Sequence, residues 1–136
     1  KLARDIEPEN AIIYNGLGMA YGLLEGSPAA QKRHESYVTA AQLDPNIDSY
    51  IYNVGTVLID LERYEEAIVP LNKAIALDDD NYRAYQALGV AYHRLKRYDD
   101  AKKYYLKAIV EYTQDNDKGQ HDKEIESLQT AIAQMP

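Results

Sequence analysis

A pattern of small residues recurs along this chain at an almost constant interval. Ala3, Ala40, Ala74 and Ala108 lie 37, 34 and 34 residues apart, and Gly18, Gly55 and Gly89 lie 37 and 34 apart. Each Ala is followed by its Gly after 15 residues; each Gly is followed by the next Ala after 22, 19 and 19. A three-residue insertion between Gly18 and Ala40 accounts for the difference. The segments VGTVLIDLERYEEA (54–67) and LGVAYHRLKRYDDA (88–101) share Gly, Leu, Arg, Tyr and the final Ala in the same places. Chemistry is rarely needed twice at a fixed interval, whereas packing often is. The chain therefore reads as units that each bury an apolar face only by stacking on a neighbour.

Each unit reads as two helices, and no strand is predicted. Tyr85, Leu88, Gly89, Tyr92 and Leu95 recur at steps of three and four, the spacing of one helical face. Ile51, Val54, Gly55, Leu58 and Leu61 repeat that face, as do Tyr14, Leu17, Gly18, Tyr21 and Leu24. First helices are predicted over 11–25, 48–61 and 82–96, and second helices over 28–43, 65–77 and 99–112. A mid-helix Gly costs about 1 kcal/mol relative to Ala. Its return at one register predicts that the paired helix approaches there, with the small Ala of that helix completing the contact. Asn10, Asp48 and Asn81 read as N-caps, with Pro8 and Pro45 in the turns just before. In EGSPAA (25–30), Gly26 reads as a helix end, Ser27 as an N-cap and Pro28 as the first helical position. Two departures stand out. Arg33 occupies a place where other units have Ala, which predicts looser or shifted packing. Pro70 lies inside a predicted helix and should kink or splay it.

The units are bounded as 11–47, 48–81 and 82–115. Residues 1–10, with Leu2, Ala3 and Ile6 in repeat register, read as the tail of a preceding unit. Residues 116–136 read as a loop and one amphipathic helix with Ile125, Leu128, Ile132 and Met135 on one stripe. Such a helix suits a terminal cover with a polar outer face, the alternative being a partner-binding helix. The chain opens at Lys1 without Met or an apolar leader, which reads as a segment of a longer protein. No apolar run is long enough to span a bilayer, so a soluble chain without membrane insertion is expected, in a compartment the sequence does not name.

The net charge of −7 argues against nucleic-acid binding, which needs a basic footprint. The charge is uneven: residues 48–81 hold two Lys/Arg against eight Asp/Glu, and residues 82–115 hold seven against four. Such an imbalance reads as solvated faces, or as a field that orients a partner. There are 13 Tyr but no Phe or Trp, which suits thin layers where a ring is buried and its hydroxyl still finds a partner. There is no Cys, which removes disulfides, thiolate nucleophiles and Cys-bound metals.

A 34-residue two-helix unit with Tyr85, Leu88-Gly89, Tyr92, Ala101, Tyr105 and Ala108 at these offsets resembles the tetratricopeptide repeat (TPR). The likeness covers residues 11–115 as three units. Departures are Tyr or Ile for the usual Trp, Asp79 and Thr113 for the closing Pro, and Arg33 for Ala. The resemblance implies an all-α solenoid: a right-handed superhelix of antiparallel helix pairs, three TPR units plus a capping helix, whose first helices line a concave groove. It also implies a protein-protein interaction module that holds a peptide or helix of another protein, and not an enzyme. The residues so placed are Asn15, Met19, Tyr52, Asn53, Thr56, Arg83, Gln86, Val90 and His93. One TPR subgroup grips a C-terminal carboxylate with Lys, Asn and Arg. Asn53 matches one of its Asn residues and Arg83 stands for a Lys, but Asn15, Met19 and Ala87 replace a Lys, an Asn and an Arg. A more general role is expected: Asn53 and Gln86 pairing with backbone, Arg83 with an acidic side chain, and Tyr52 giving apolar contact. The alternative is a structural unit that self-associates through its open N-terminal end.

Nothing points to catalysis, a cofactor or a metal. His34, His93 and His121 have no ligand spacing, and no Ser has a nucleophile-elbow context. Glu65-Glu66 and Asp99-Asp100 stand in first turns, where acids favour the helix dipole. The DDD run (78–80) lacks the Gly and the distal Glu of a helix–loop–helix calcium site.

Overall fold

The computed structural model describes residues 8–24 and 26–136. Seven helices follow one another among the described residues: α1 (Pro8–Tyr21), α2 (Ser27–Leu43), α3 (Asp48–Asp60), α4 (Tyr64–Leu77), α5 (Tyr82–Arg94), α6 (Tyr98–Gln114) and α7 (Asp122–Gln134). They form a helical-repeat solenoid. The pairs α1–α2, α3–α4 and α5–α6 are the units; α2 packs on α3, α4 on α5 and α7 on α6. No described helix is long and apolar enough to cross a membrane. The reading of Leu2, Ala3 and Ile6 lies outside the described residues.

The recurring glycines sit in the middle of each pair, but their partners are larger than expected. A Cβ added to Gly18 would meet the Tyr37 ring at 2.4 Å, one on Gly55 the Leu71 side chain at 2.5 Å, and one on Gly89 the Tyr105 ring at 2.4 Å. Each glycine is therefore a socket for a bulky side chain, not a surface for Ala. Leu71 and Tyr105 are 0% and 4% exposed. Ala40, Ala74 and Ala108, fully buried, stand one turn beyond these residues in the same second helices. The contact matters because one ring laid on bare backbone gains dispersion on both sides and excludes water from the seam.

Helix starts depart from the expected caps. α1 is described from Pro8, so Pro8 and Asn10 both stand within the helix. Ile47 is the N-cap of α3, and Asp48 is the first helical residue, its carboxylate accepting from the Asn81 amide at 3.3 Å. Gly26, with φ 103°, occupies the cap position before α2, ahead of Ser27 and Pro28. Only the Asn81 expectation is met at this level: its side chain accepts from the Ala84 N–H at 3.0 Å. The ends of α3 and α5 carry Glu62 and Lys96 at φ 60°, where glycine is usual. Arg63 N donates to Leu58 O at 2.8 Å and Arg97 N to Tyr92 O at 2.9 Å, closing paired Schellman turns.

The two irregular residues are absorbed differently. α4 runs unbroken through Pro70. Arg33, where Ala67 and Ala101 are fully buried in their units, lies against the backbone at Gly22 and forms an ion pair with Asp60 at the end of α3. At the other end, Leu128 of α7 and Met135 just after it, 3% and 8% exposed, enter the cluster containing Tyr105, Ala108 and Tyr112.

These contacts set opposite signs for two Gly→Ala changes. Nothing lies within 4 Å of a Cβ on Gly16. Gly16→Ala should raise the unfolding free energy by up to about 1 kcal/mol through helix propensity. Gly89→Ala should lower it by about 1–3 kcal/mol, because the Tyr105 ring has to move. Urea unfolding followed by circular dichroism checks both; equal effects would contradict the socket.

Candidate functional site

The first helices place α3 and α5 side by side, and their outward faces bound a cavity of about 350 Å³. Five of the residues read from the sequence line it: Tyr52 and Thr56 from α3, and Arg83, Gln86 and Val90 from α5. They converge because α3 presents positions 52 and 56, one turn apart, and α5 presents 83, 86 and 90 with the same periodicity. Asp60 and Ala87 also border the cavity.

Asn15 and Asn53 meet on the adjoining surface between α1 and α3. The Asn53 amide donates to Asn15 Oδ1 at 2.8 Å, and the Asn15 amide lies 3.9 Å from Met19 Sδ. These three residues form a second group along the same face. His93 is not brought to either group. Its ring meets Tyr98 and Tyr105 edge-on, with centroids 5.9 and 6.1 Å away, and its Nδ1 lies 3.4 Å from the Tyr105 hydroxyl. It belongs to the seam between α5 and α6.

Sequence reasoning missed Tyr112, which forms a wall of the cavity from α6. Its hydroxyl donates to Gln86 Oε1 at 2.6 Å. Its ring packs on Tyr82 with centroids 4.3 Å apart and on His121 at 5.0 Å. The available signal was length: α6 has 17 residues against 14 in α4, so its last turn reaches further. The bond to Tyr112 orients the Gln86 amide, leaving its NH₂ group to donate outward. Thr56 donates to Asn53 O at 3.0 Å, so its oxygen is left chiefly as an acceptor.

Charge is divided across the cavity. Asp60 is neutralised by Arg33. Arg83 lies over the Tyr82 ring, 5.8 Å from its centroid, and has no ion-pair partner among the described residues. Burial pushes the Tyr52 phenol up, with Arg83 pulling it down and Asp60 pushing it up again. Burial pushes Tyr112 up to about 12, with Arg83 opposing. Both rings therefore stay neutral at ordinary pH and act as apolar walls with a hydroxyl donor.

Beside the groove, the carboxylates of Asp78, Asp79 and Asp80 lie within 4.8 Å of one another and are exposed, and Asp78 and Asp80 line an adjoining pocket with Tyr52 and Arg83. Their turn uses them locally: Asp78 Oδ1 accepts from Asp80 N at 3.1 Å, and the Asp79 carbonyl accepts from the Tyr85 hydroxyl at 2.9 Å.

Comparison with known proteins agrees with this architecture. A TPR repeat model matches residues 55–96, and a tetratricopeptide repeat model matches residues 82–115. The Hsp70-Hsp90 organising protein of Plasmodium falciparum (isolate 3D7) is 32% identical over 85 residues. That match covers 57% of this chain but only 15% of the relative's length. The TPR2B domain of yeast Sti1, solved as a pHsp70 complex, superposes with a TM-score of 0.83 at 23% identity, covering 94% of this chain and 99% of that one. The first TPR of Spaghetti (RPAP3), bound to the HSP90 peptide SRMEEVD, gives 0.75 at 20% identity, covering 93% and 96%. At these identities the structural likeness speaks to the fold.

The neutral phenol of Tyr112 makes a pH prediction. The ordinary tyrosine value is about 10, and the folded value is about 12. The folded state holds this proton more tightly, so the contribution is complete below about pH 10 and lost as pH rises toward about 12. Tyr112→Phe should flatten the fall of the urea midpoint across that window. Parallel curves for the two proteins would contradict the assignment.

Proposed function

We propose that this chain, which belongs to the tetratricopeptide-repeat family, is an adaptor that holds an acidic peptide segment of another protein in its concave groove. The observation that carries this reading is the cavity between α3 and α5, where Arg83 has no carboxylate partner among the described residues and Gln86 is oriented by Tyr112. Arg83 meets an acidic side chain as a charge-assisted pair. Gln86 donates to the peptide backbone, and the Asn15–Asn53 pair offers a further amide donor and acceptor next to it. Tyr52 and Val90 give the apolar contact that excludes water around these bonds. Met19 extends that surface along α1. The adaptor has no chemistry of its own.

The relatives support a peptide partner, since two of the proteins compared above are complexes with Hsp70- or Hsp90-derived partners. The mode proposed here differs from capture of a terminal carboxylate. Asn15 and Ala87 stand at the places of two cationic residues in that subgroup, so the charge that would hold a chain end is not assembled. Recognition rests on acidic side chains within the segment.

A second reading is favoured by one observation. Ile13, Tyr14 and Leu17 of α1 and Leu24 just beyond it are 57%, 39%, 42% and 61% exposed, whereas the counterparts of Tyr14 in α3 and α5, Ile51 and Tyr85, are 4% and 6% exposed. In α3 and α5 this face is covered by α2 and α4. An equivalent helix, from further repeats or from a second copy, fits the same face of α1.

The peptide SRMEEVD, labelled with fluorescein and followed by anisotropy, tests the first reading. Arg83→Glu with Asn53→Ala should weaken binding by at least about tenfold, near 1.4 kcal/mol, while helicity stays unchanged. Amidating the peptide C-terminus should leave affinity within about twofold. Equal binding by the double variant would remove the groove assignment, and loss of binding on amidation would restore carboxylate capture. For the second reading with a second copy as the cover, light scattering should show association that Ile13→Asp with Leu24→Asp abolishes; a concentration-independent monomer would exclude the second copy.

A further inference from the structure

The internal repeat allows each position of the second unit to be compared with the one 34 residues later. On the side opposite the groove, the third unit packs three phenol rings together. Tyr104 of α6 stacks on Tyr92 with centroids 5.5 Å apart and planes 3° apart, and on Tyr85 at 6.4 Å and 21°. Tyr104 also packs against the cluster of Leu58, Ala67, Leu71 and Leu88, so it fills the junction between α4, α5 and α6. In the second unit the counterparts of Tyr85, Tyr92 and Tyr104 are Ile51, Leu58 and Pro70. Val54 likewise replaces the fully buried Leu88.

The space those rings would fill is open. A cavity of about 500 Å³ lies between α2 and α4 and is floored by α3, with Ile51, Val54, Leu58 and Pro70 in its lining. Val69, 72% exposed, extends the apolar surface past the rim. The volume is in the range of sites that hold an organic group, and the mostly apolar walls suit a ring.

The polar rim narrows the occupant further. Arg63 and Glu66 satisfy each other through two bonds of 2.6 and 2.7 Å. Burial, with Arg63 adding to it, pulls the His34 pKa down, so its imidazole is neutral. Lys73 has no ion-pair or ring partner among the described residues. Its counterpart, Lys107, lies over the Tyr85 ring, 5.3 Å from the centroid. Lys73 has Ile51 in place of that ring, and its ammonium is left to meet a charge brought from outside.

We infer that this cavity is a second docking site, and that it takes an aromatic side chain of a partner protein with an acidic residue beside it. The ring lies where Tyr104 lies in the next unit, on Val54 and Leu58 and against Pro70. The neighbouring carboxylate meets Lys73, and the partner's chain crosses Val69. The site is on the face opposite the groove, so both can be occupied at once.

Nitrogen-15 NMR of the chain with the tetrapeptide acetyl-Gly-Asp-Phe-Gly-amide tests this. The peptide should move the amide signals of Val54, Val69 and Lys73 saturably at up to about 10 mM, the scale of one weakly held side chain. The signals of Asn53 and Gln86 should stay in place. Pro70→Tyr, which supplies the missing ring from within, should abolish the effect with helicity retained. Val69→Glu, at an exposed position, should weaken it by about tenfold. The inference is overturned if the Phe→Ala peptide shifts the same signals, if no saturable shift appears, or if both variants bind normally. Movement of Asn53 and Gln86 instead would place the peptide in the groove. Binding of 3-phenylpropionate as tight as that of the peptide would make this a small-molecule site and overturn the protein partner.

Discussion

The architecture depends on bare backbone meeting a large side chain. Gly18, Gly55 and Gly89 leave room for Tyr37, Leu71 and Tyr105, each too close for any Cβ. A glycine inside a helix costs about 1 kcal/mol, and the closeness it permits offsets this by burying a bulky group in the seam. Because all three sockets share one register, the pairs are alike enough to stack. Stacking sets α3 beside α5, and that adjacency creates the groove.

Within this frame, the candidate surfaces are formed by residues outside the sockets. On the groove side, α3 and α5 present Tyr52, Thr56, Arg83, Gln86 and Val90; Tyr52 and Val90 also pack partly against the seams, so the same residues join the groove to the core. On the opposite side, differences between otherwise equivalent positions open a cavity in one unit and fill it with tyrosines in the next. A repeat protein can thus vary its surfaces unit by unit while its seams stay the same.

The repeat made much of this legible. Periodicity placed the helices within a few residues, located the glycine register and marked α7 as a separate amphipathic element. It also put Tyr52, Arg83 and Gln86 on one face. What it could not reveal was decided by contacts between elements. The recurrence of Ala40, Ala74 and Ala108 drew attention from Tyr37, Leu71 and Tyr105, which recur just as regularly but vary in type. Tyr112 enters the site through the length of α6, and His93 leaves it through its contacts with Tyr98 and Tyr105. Glu62 and Lys96 carried no sign of a left-handed turn, because neither is Gly or Asn. Arg33 could be seen as foreign to its place, but Asp60 as its partner could not.

The most direct test of the socket is the distance between the Gly89 α-protons and the Tyr105 ring. In solution NMR, the account predicts strong nuclear Overhauser effects between them and an upfield ring-current shift of the glycine signals. Gly89 α-protons at ordinary helical shifts, with no effect to any Tyr105 ring proton, would contradict it.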